Sequence, residues 1–365
     1  MAEEKKRLQY IDVVKGIAIV WIVFYHLLAP CLVKNRIINH LMDAFLVSFF
    51  FFSGYFYRPG KRSIKESIKN RAKALIVPFF RYSLFFWLVG TIYLVATKAA
   101  PLVEAFLCLR NFLGGCIWNR VIQGWFGWEY YSLGKRYFYL ADFWFLIAML
   151  FASILFFLIA DAVLRSKGRT LLTTIVLFAL TGCLVQSGIS LPYNLQLVPY
   201  WTAFMLLGAY AGQQKLFDLP ALSGGSRWGL GIALLVIGTA LSLWKVPSPN
   251  QFRGSFGEQE LVSMLLCIVA AIPFIWGLGL VCAQAEKAGV RTKELAWLGS
   301  HSLIIYLYHM FLAWIIGIIT GFSVFYEDPS DGRTIALSVL LTLACLALAI
   351  GRNIVEDRLQ ARKSV

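Results

Sequence analysis

The chain has 365 residues, of which 59% are hydrophobic, 16% aromatic and only 15% charged, with a mean hydropathy of +0.70. A water-soluble domain of this length cannot bury that much apolar side chain, so the composition excludes one and specifies an all-α, polytopic integral membrane protein. The net charge of +15 does not call for nucleic acid, because the Lys and Arg residues sit in short loops between apolar runs, where they set topology.

Apolar runs of about 17 to 25 residues predict about ten transmembrane helices. They fall near residues 10–30, 39–57, 75–97, 139–160, 171–189, 196–212, 228–245, 261–283, 295–320 and 334–351. An even number puts both ends on one side of the bilayer. Lys and Arg are concentrated in the amino-terminal tail, in the loops after the even-numbered spans and in the carboxyl tail, which makes both termini cytoplasmic. The expected organisation is one membrane domain over residues 1–365, with a long extracytoplasmic loop at 98–138 and a short basic cytoplasmic tail at 352–365. The first apolar run lacks an A-x-A site and is interrupted by charge, so no cleaved signal peptide is expected.

That first run, YIDVVKGIAIVWIVFYHLLAP from Tyr10 to Pro30, carries three ionisable groups that hydrocarbon excludes unless something compensates them, namely Asp12, Lys15 and His26. Lys15 and His26 are eleven positions apart. At about 100° per residue this is three turns plus about 20°, so both project from one helix face, separated by about 17 Å along the axis. Asp12 lies within about 40° of the same line. A polar stripe is therefore expected to run from the cytoplasmic surface toward the outer half of the membrane. Two readings fit: a snorkelling lysine with a hydrogen-bonded interior histidine, or a functional path.

Between the second and third spans, Arg58 to Lys73 (RPGKRSIKESIKNRAK) is the densest basic patch, expected as a short surface helix. It serves topology and anionic lipid heads, or forms a phosphate-binding floor beneath the stripe. Pro78 and Arg81 follow just inside the third span, a kink and a buried cation close to that floor. The stretch Lys98 to Leu140 is rich in aromatics and glycine. Its Trp125, Trp128 and Glu129 suit either interfacial anchoring or binding of a sugar or lipid-linked sugar. Asp142 opens the fourth span, and His301 and His309 lie in the ninth. The seven cysteines show no CxxC or Cys/His spacing, so no metal site is expected, and Cys108 and Cys116 share the long loop.

Six stretches, in order, resemble one family. They are Lys15 and His26 at eleven-residue spacing inside D-x-x-K-G, SFFFFSGYFY (48–57), RAKALIVPFF (71–80), DFWFLIAMLF (142–151), WTAFMLLGAYAG (201–212) and LGSHSLIIYLYHMF (298–311). Each is short; together, in register over essentially the whole chain, they resemble the acyltransferase-3 membrane family, and the D-x-x-K-G wording resembles its fucose 4-O-acetylase-like branch. One position departs. The family often carries two spaced arginines before the proline, and this chain has Arg71 but Ala74 at the second place, with Lys73 beside it.

The resemblance implies a multi-pass enzyme of the bacterial cytoplasmic (inner) membrane. It would move an acyl group, most simply acetyl, from cytoplasmic acyl-CoA to a hydroxyl of a cell-surface sugar or lipid-linked glycan precursor. Acyl-CoA is then a donor substrate rather than a tightly bound cofactor, and the partners are the donor, the glycan acceptor and the lipid bilayer, with no nucleic acid. His26 is implied as general base or transient acyl carrier, and Lys15 stands at the throat of the path. Arg71, Lys73 and Arg81 are implied for the donor phosphates. Asp12 is implied as a partner of Lys15, and either His309 or Asp142 as the supporting contact of His26. A secondary transporter with charges lining its path, and a non-enzymatic scaffold or sensor, are the competing classes. The first predicts repeat symmetry, which the sequence does not display; the second leaves the His26 stripe unexplained.

Overall fold

The structure is a computed structural model. It describes residues 8–32, 36–97, 143–189, 191–244, 260–320 and 332–363, which are helices joined by turns, with no strand among them. In chain order the helices are α1 (Gln9–Leu32), α2 (Arg36–Tyr55), α3 (Ile64–Thr97), α4 (Trp144–Val163), α5 (Lys167–Gln186), α6 (Val198–Gln213), α7 (Gly224–Leu243), α8 (Glu260–Lys287), α9 (Lys293–Ser300), α10 (Ser302–Thr320) and α11 (Gly332–Lys363). A 3-10 turn, Pro192–Leu197, leads into α6. Five helices among the described residues are long and apolar enough to cross a membrane: α3, α4, α5, α7 and α8. They account for five of the expected ten spans. The expected loop at 98–138 lies outside the described residues, and the expected tail at 352–365 continues α11 as helix to Lys363.

The chain divides into two compact units: Met1–Phe49 with Gln214–Ser248 and Leu265–Val365, and Phe50–Gln213 with Pro249–Met264. In the first unit α1 packs against α9, α10 and α11. Its apolar residues Ile11, Val14, Ala18, Ile22 and Val23 recur at helical spacing and are buried, which is why this run folds as an interior helix. The crossing with α9 is a backbone contact made possible by glycine. A Cβ at Gly16 would overlap the Leu295 carbonyl, and one at Gly299 would overlap the Asp12 carbonyl. Small residues bring helices this close in lipid, where packing replaces the hydrophobic effect between helices. Elsewhere in this unit Gly231 and Gly238 of α7 lie against α8, and Phe45 of α2 meets Phe274 of α8 edge-on at 5.1 Å.

In the second unit α4 and α5 pack on α6, and α3 on α4. The end of α2 lies directly on α6, since a Cβ at Gly208 would overlap the Phe51 carbonyl and one at Gly54 the Met205 carbonyl. Phe50 stacks on Trp201 with ring centroids 5.2 Å apart. The outer face of α3 is apolar: Val77, Phe80, Leu84, Leu88, Ile92 and Val95 recur at helical spacing and are exposed, a surface that lipid covers.

Two elements differ from the sequence expectation. The second part of the basic stretch, from Ile64, and the third span form one continuous helix, α3, which starts after Ser63, whose Oγ accepts from the Glu66 N–H at 3.2 Å, and runs through Pro78. The ninth span, expected at 295–320 as one helix, is broken at His301 into α9 and α10. At the break His301 has φ −107° and ψ 14°. Ser300 Oγ donates to the Trp297 carbonyl at 2.8 Å, and the His301 ring lies 4.2 Å from that of Trp297. These local side-chain bonds compete with the next helical turn.

Gly299→Val is expected to destabilise the detergent-solubilised protein by at least about 1–3 kcal/mol, the usual cost of overpacking. Gly168→Val, at an exposed position with open space around it, is expected to change the thermal unfolding midpoint little.

Candidate functional site

The amino-terminal end of α1 is tied to the carboxyl end of α8 and the turn after it. The Tyr10 N–H donates to Glu286 Oε2 at 2.8 Å, and Gln9 Nε2 donates to Thr292 Oγ1 at 3.4 Å. This fixes the two charged residues of the first turns. Asp12 is buried, with its carbonyl against Gly299, and Lys15 is half-buried. Between Lys15 and His26 on the same helix face stand Ile19 and Ile22, both buried. The expected polar stripe is therefore two polar ends separated by an apolar middle.

At the far end His26 meets His309 of α10. His309 Nε2 and His26 Nδ1 are 3.1 Å apart, with ring centroids at 5.0 Å. His309 Nδ1 donates to the Tyr306 carbonyl at 2.7 Å. Tyr25 lies edge-on to His26 at 5.7 Å, and the Ile22 carbonyl, one turn back, is a further acceptor facing the His26 ring. His309 is buried and His26 half-buried. Cys345 of α11 donates its thiol to the His309 carbonyl at 3.5 Å, joining a third helix to the pair.

The sequence left His309 and Asp142 as alternative supports for His26. His309 is in contact with it; Asp142 lies outside the described residues, as do Trp125, Trp128 and Glu129. In the second unit Arg71 of α3 is half-buried and its guanidinium donates to Ser53 Oγ at the end of α2. Lys73 is exposed. Arg81 is also exposed, over the Tyr82 ring at 5.9 Å, and shares the outward apolar face of α3 with Val77, Leu84 and Leu88.

Sequence reasoning passed over Asp43. This carboxylate is buried in α2, where the Cys267 thiol of α8 hydrogen-bonds to it. The signal was present, since an acid inside an apolar run is itself unusual. Ser53, the acceptor for Arg71, carried no comparable signal. Among the described residues no group of three or more His, Cys, Asp or Glu side chains is arranged to hold a metal ion.

A helical chain with membrane-spanning segments, an imidazole pair and a charged group at the start of the same helix defines an integral membrane protein with an interior polar centre. The family model described as an acyltransferase domain, of the acyltransferase-3 family, matches residues 8–351, nearly the whole chain. The chain belongs to that family and is a membrane acyltransferase. No curated protein and no solved structure matches it significantly.

A double-mutant cycle with Ser53→Ala and Arg71→Met is expected to give a coupling energy of about 1.5–3 kcal/mol in unfolding of the solubilised protein, as for a hydrogen bond to a charged group. Coupling near zero would show that this contact does not hold Arg71.

Proposed function

We propose that the protein is an O-acyltransferase of the bacterial cytoplasmic membrane. In this reading it transfers an acyl group, most simply acetyl, from cytoplasmic acyl-CoA to a hydroxyl of a cell-surface sugar or lipid-linked glycan precursor. Both termini are cytoplasmic and the fucose 4-O-acetylase-like branch supplies the analogy for the acceptor. The observation that carries the reading is the hydrogen bond between His26 and His309 inside a chain matched over residues 8–351 by an acyltransferase family. A neutral imidazole nitrogen offers a lone pair, so it can take a proton from an attacking hydroxyl and return it to the leaving thiolate.

The donor is an anionic nucleotide with a thioester at the end of a long thin arm. Lys15 and His26, about 17 Å apart along α1, match a demand for a cation at one end and a base at the other. Arg71 and Lys73 supply the remaining positive charge for the phosphates, with Arg81, on the outward apolar face of α3, the least suited of the three. Arg71 is the strongest of the three, because Ser53 orients its guanidinium and a guanidinium binds phosphate bidentately. Asp12 balances the charge of Lys15. The aromatic residues Trp125 and Trp128, with Glu129, offer flat faces and a hydrogen-bond acceptor to a sugar ring.

Membranes containing the protein are expected to transfer label from radiolabelled acetyl-CoA to endogenous surface glycan. His26→Ala is expected to lower that transfer by about 10²–10⁴-fold, the usual worth of a general base. Lys15→Ala and Arg71→Ala are expected to raise the apparent KM for the donor. Unchanged transfer in His26→Ala at matched expression would remove His26 from the chemistry.

A further inference from the structure

The hydrogen bonds around the imidazole pair leave one consistent placement of protons. The Tyr306 carbonyl can only accept, so His309 Nδ1, 2.7 Å from it, carries a hydrogen. With both rings neutral, His309 Nε2 then holds a lone pair. The contact of 3.1 Å between His309 Nε2 and His26 Nδ1 is a hydrogen bond only if His26 Nδ1 donates. The Ile22 carbonyl adds another acceptor and no donor. The remaining nitrogen of His26, Nε2, therefore bears the lone pair.

We propose that His309, held by the Tyr306 carbonyl, is a positioning residue that locks His26 in the Nδ1–H tautomer and thereby makes His26 Nε2 the reactive nitrogen. The inference rests on the reading of His26 as the group that handles the acyl transfer, and it specifies which atom of His26 does so. A free histidine side chain favours the opposite tautomer, with the hydrogen on Nε2, where it has no lone pair to offer an incoming hydroxyl.

The lock serves either course open to His26. As a base, His26 Nε2 takes the acceptor hydroxyl's proton while the hydroxyl oxygen attacks the thioester carbonyl carbon. The C–O bond forms, the C–S bond breaks, and the proton passes from Nε2 to the departing thiolate to give free CoA thiol. As a carrier, Nε2 attacks the carbonyl carbon and the thiolate leaves. The Nδ1 proton then shifts to His309 Nε2, leaving a neutral acyl-imidazole and a His309 imidazolium whose Nδ1–H remains on the Tyr306 carbonyl. That proton returns to His26 Nδ1 when the acceptor alcohol takes the acyl group and yields its own proton to the thiolate. In both courses the bond to His309 strengthens as His26 gains positive character. Because the two helices hold the rings before substrate arrives, no reorganisation is required during transfer.

The experiment is nitrogen-15 NMR of the full chain, labelled at its four histidines and reconstituted in lipid nanodiscs, with the His26→Gln spectrum assigning the His26 signals. Wild-type His26 is expected to show a protonated Nδ1 and an unprotonated Nε2. In His309→Phe, where the Ile22 carbonyl is the acceptor left beside His26, the Nε2-protonated form is expected to gain population, while His309→Gln, which keeps an acceptor, is expected to preserve the wild-type form. Kinetics accompany the spectra: His309→Phe is expected to lower kcat at least tenfold with little change in donor KM, and His309→Gln to recover part of it. A wild-type His26 protonated at Nε2, or a tautomer unmoved by His309→Phe, would overturn the proposal; the wild-type spectrum decides the first even if a variant fails to fold. Full transfer by His26→Ala would defeat the functional reading alone and leave the tautomer assignment standing.

Discussion

Within hydrocarbon a polar group has no water to turn to, so the ring N–H of a buried histidine must find its acceptor in the protein. In this chain the demand is met by pairing, His26 on His309 and His309 on the Tyr306 carbonyl. Much of the first unit supports that arrangement. α1 carries His26 and packs against α10, which carries His309, and against α11, whose Cys345 thiol reaches the His309 carbonyl. The opposite end of α1 is sewn to α9 through Gly16 and Gly299 and to α8 through Glu286. Because an α-helix rises about 1.5 Å per residue and does not stretch, fixing both ends of α1 fixes the distance between Lys15 and His26. The helix acts as a ruler between a cation and an imidazole.

The break at His301 belongs to the same arrangement. A straight helix over 295–320 would have to hold Gly299 in backbone contact with α1 and present His309 to His26 along a single axis. Ending α9 at Ser300 separates the two tasks. α9 makes the glycine crossing with Asp12 and Gly16, and α10 carries His309, which meets His26. The side chains of Ser300 and His301 both bond to the Trp297 carbonyl at this junction.

The helices were largely legible in the sequence, because an apolar run of bilayer length has few other folds open to it. His26 and Lys15 were legible for the converse reason, as charges where hydrocarbon should exclude them. Their shared face followed from helical spacing alone. What lay between them did not: Ile19 and Ile22 occupy that face, and attention to charges overlooked them. The sequence narrowed the partner of His26 to His309 or Asp142 and could not choose between them, since His309 is 283 positions away and nothing in a pattern of apolar runs specifies how two helices are rotated or shifted against each other. The split of the ninth span was hidden for a related reason. Gly299, Ser300 and His301 read as an ordinary interruption of a long apolar run, and only the close approach of α1 gives the glycine its purpose. Asp43 was legible and was passed over, an acid inside an apolar run whose partner, Cys267, lies on another helix.

The most direct test of the central claim is a cryo-EM structure of the wild-type protein in nanodiscs with an acyl-CoA analogue whose thioester sulfur is replaced so that the acyl group cannot leave. The account predicts the analogue's carbonyl carbon beside His26 Nε2, at about the 3–3.5 Å of a near-attack arrangement once the acceptor is accounted for or within one hydroxyl's reach of it. His26 Nδ1 should remain on His309. An acyl end bound away from His26, or a His26 whose Nε2 is turned onto a protein carbonyl while the analogue is in place, would contradict it.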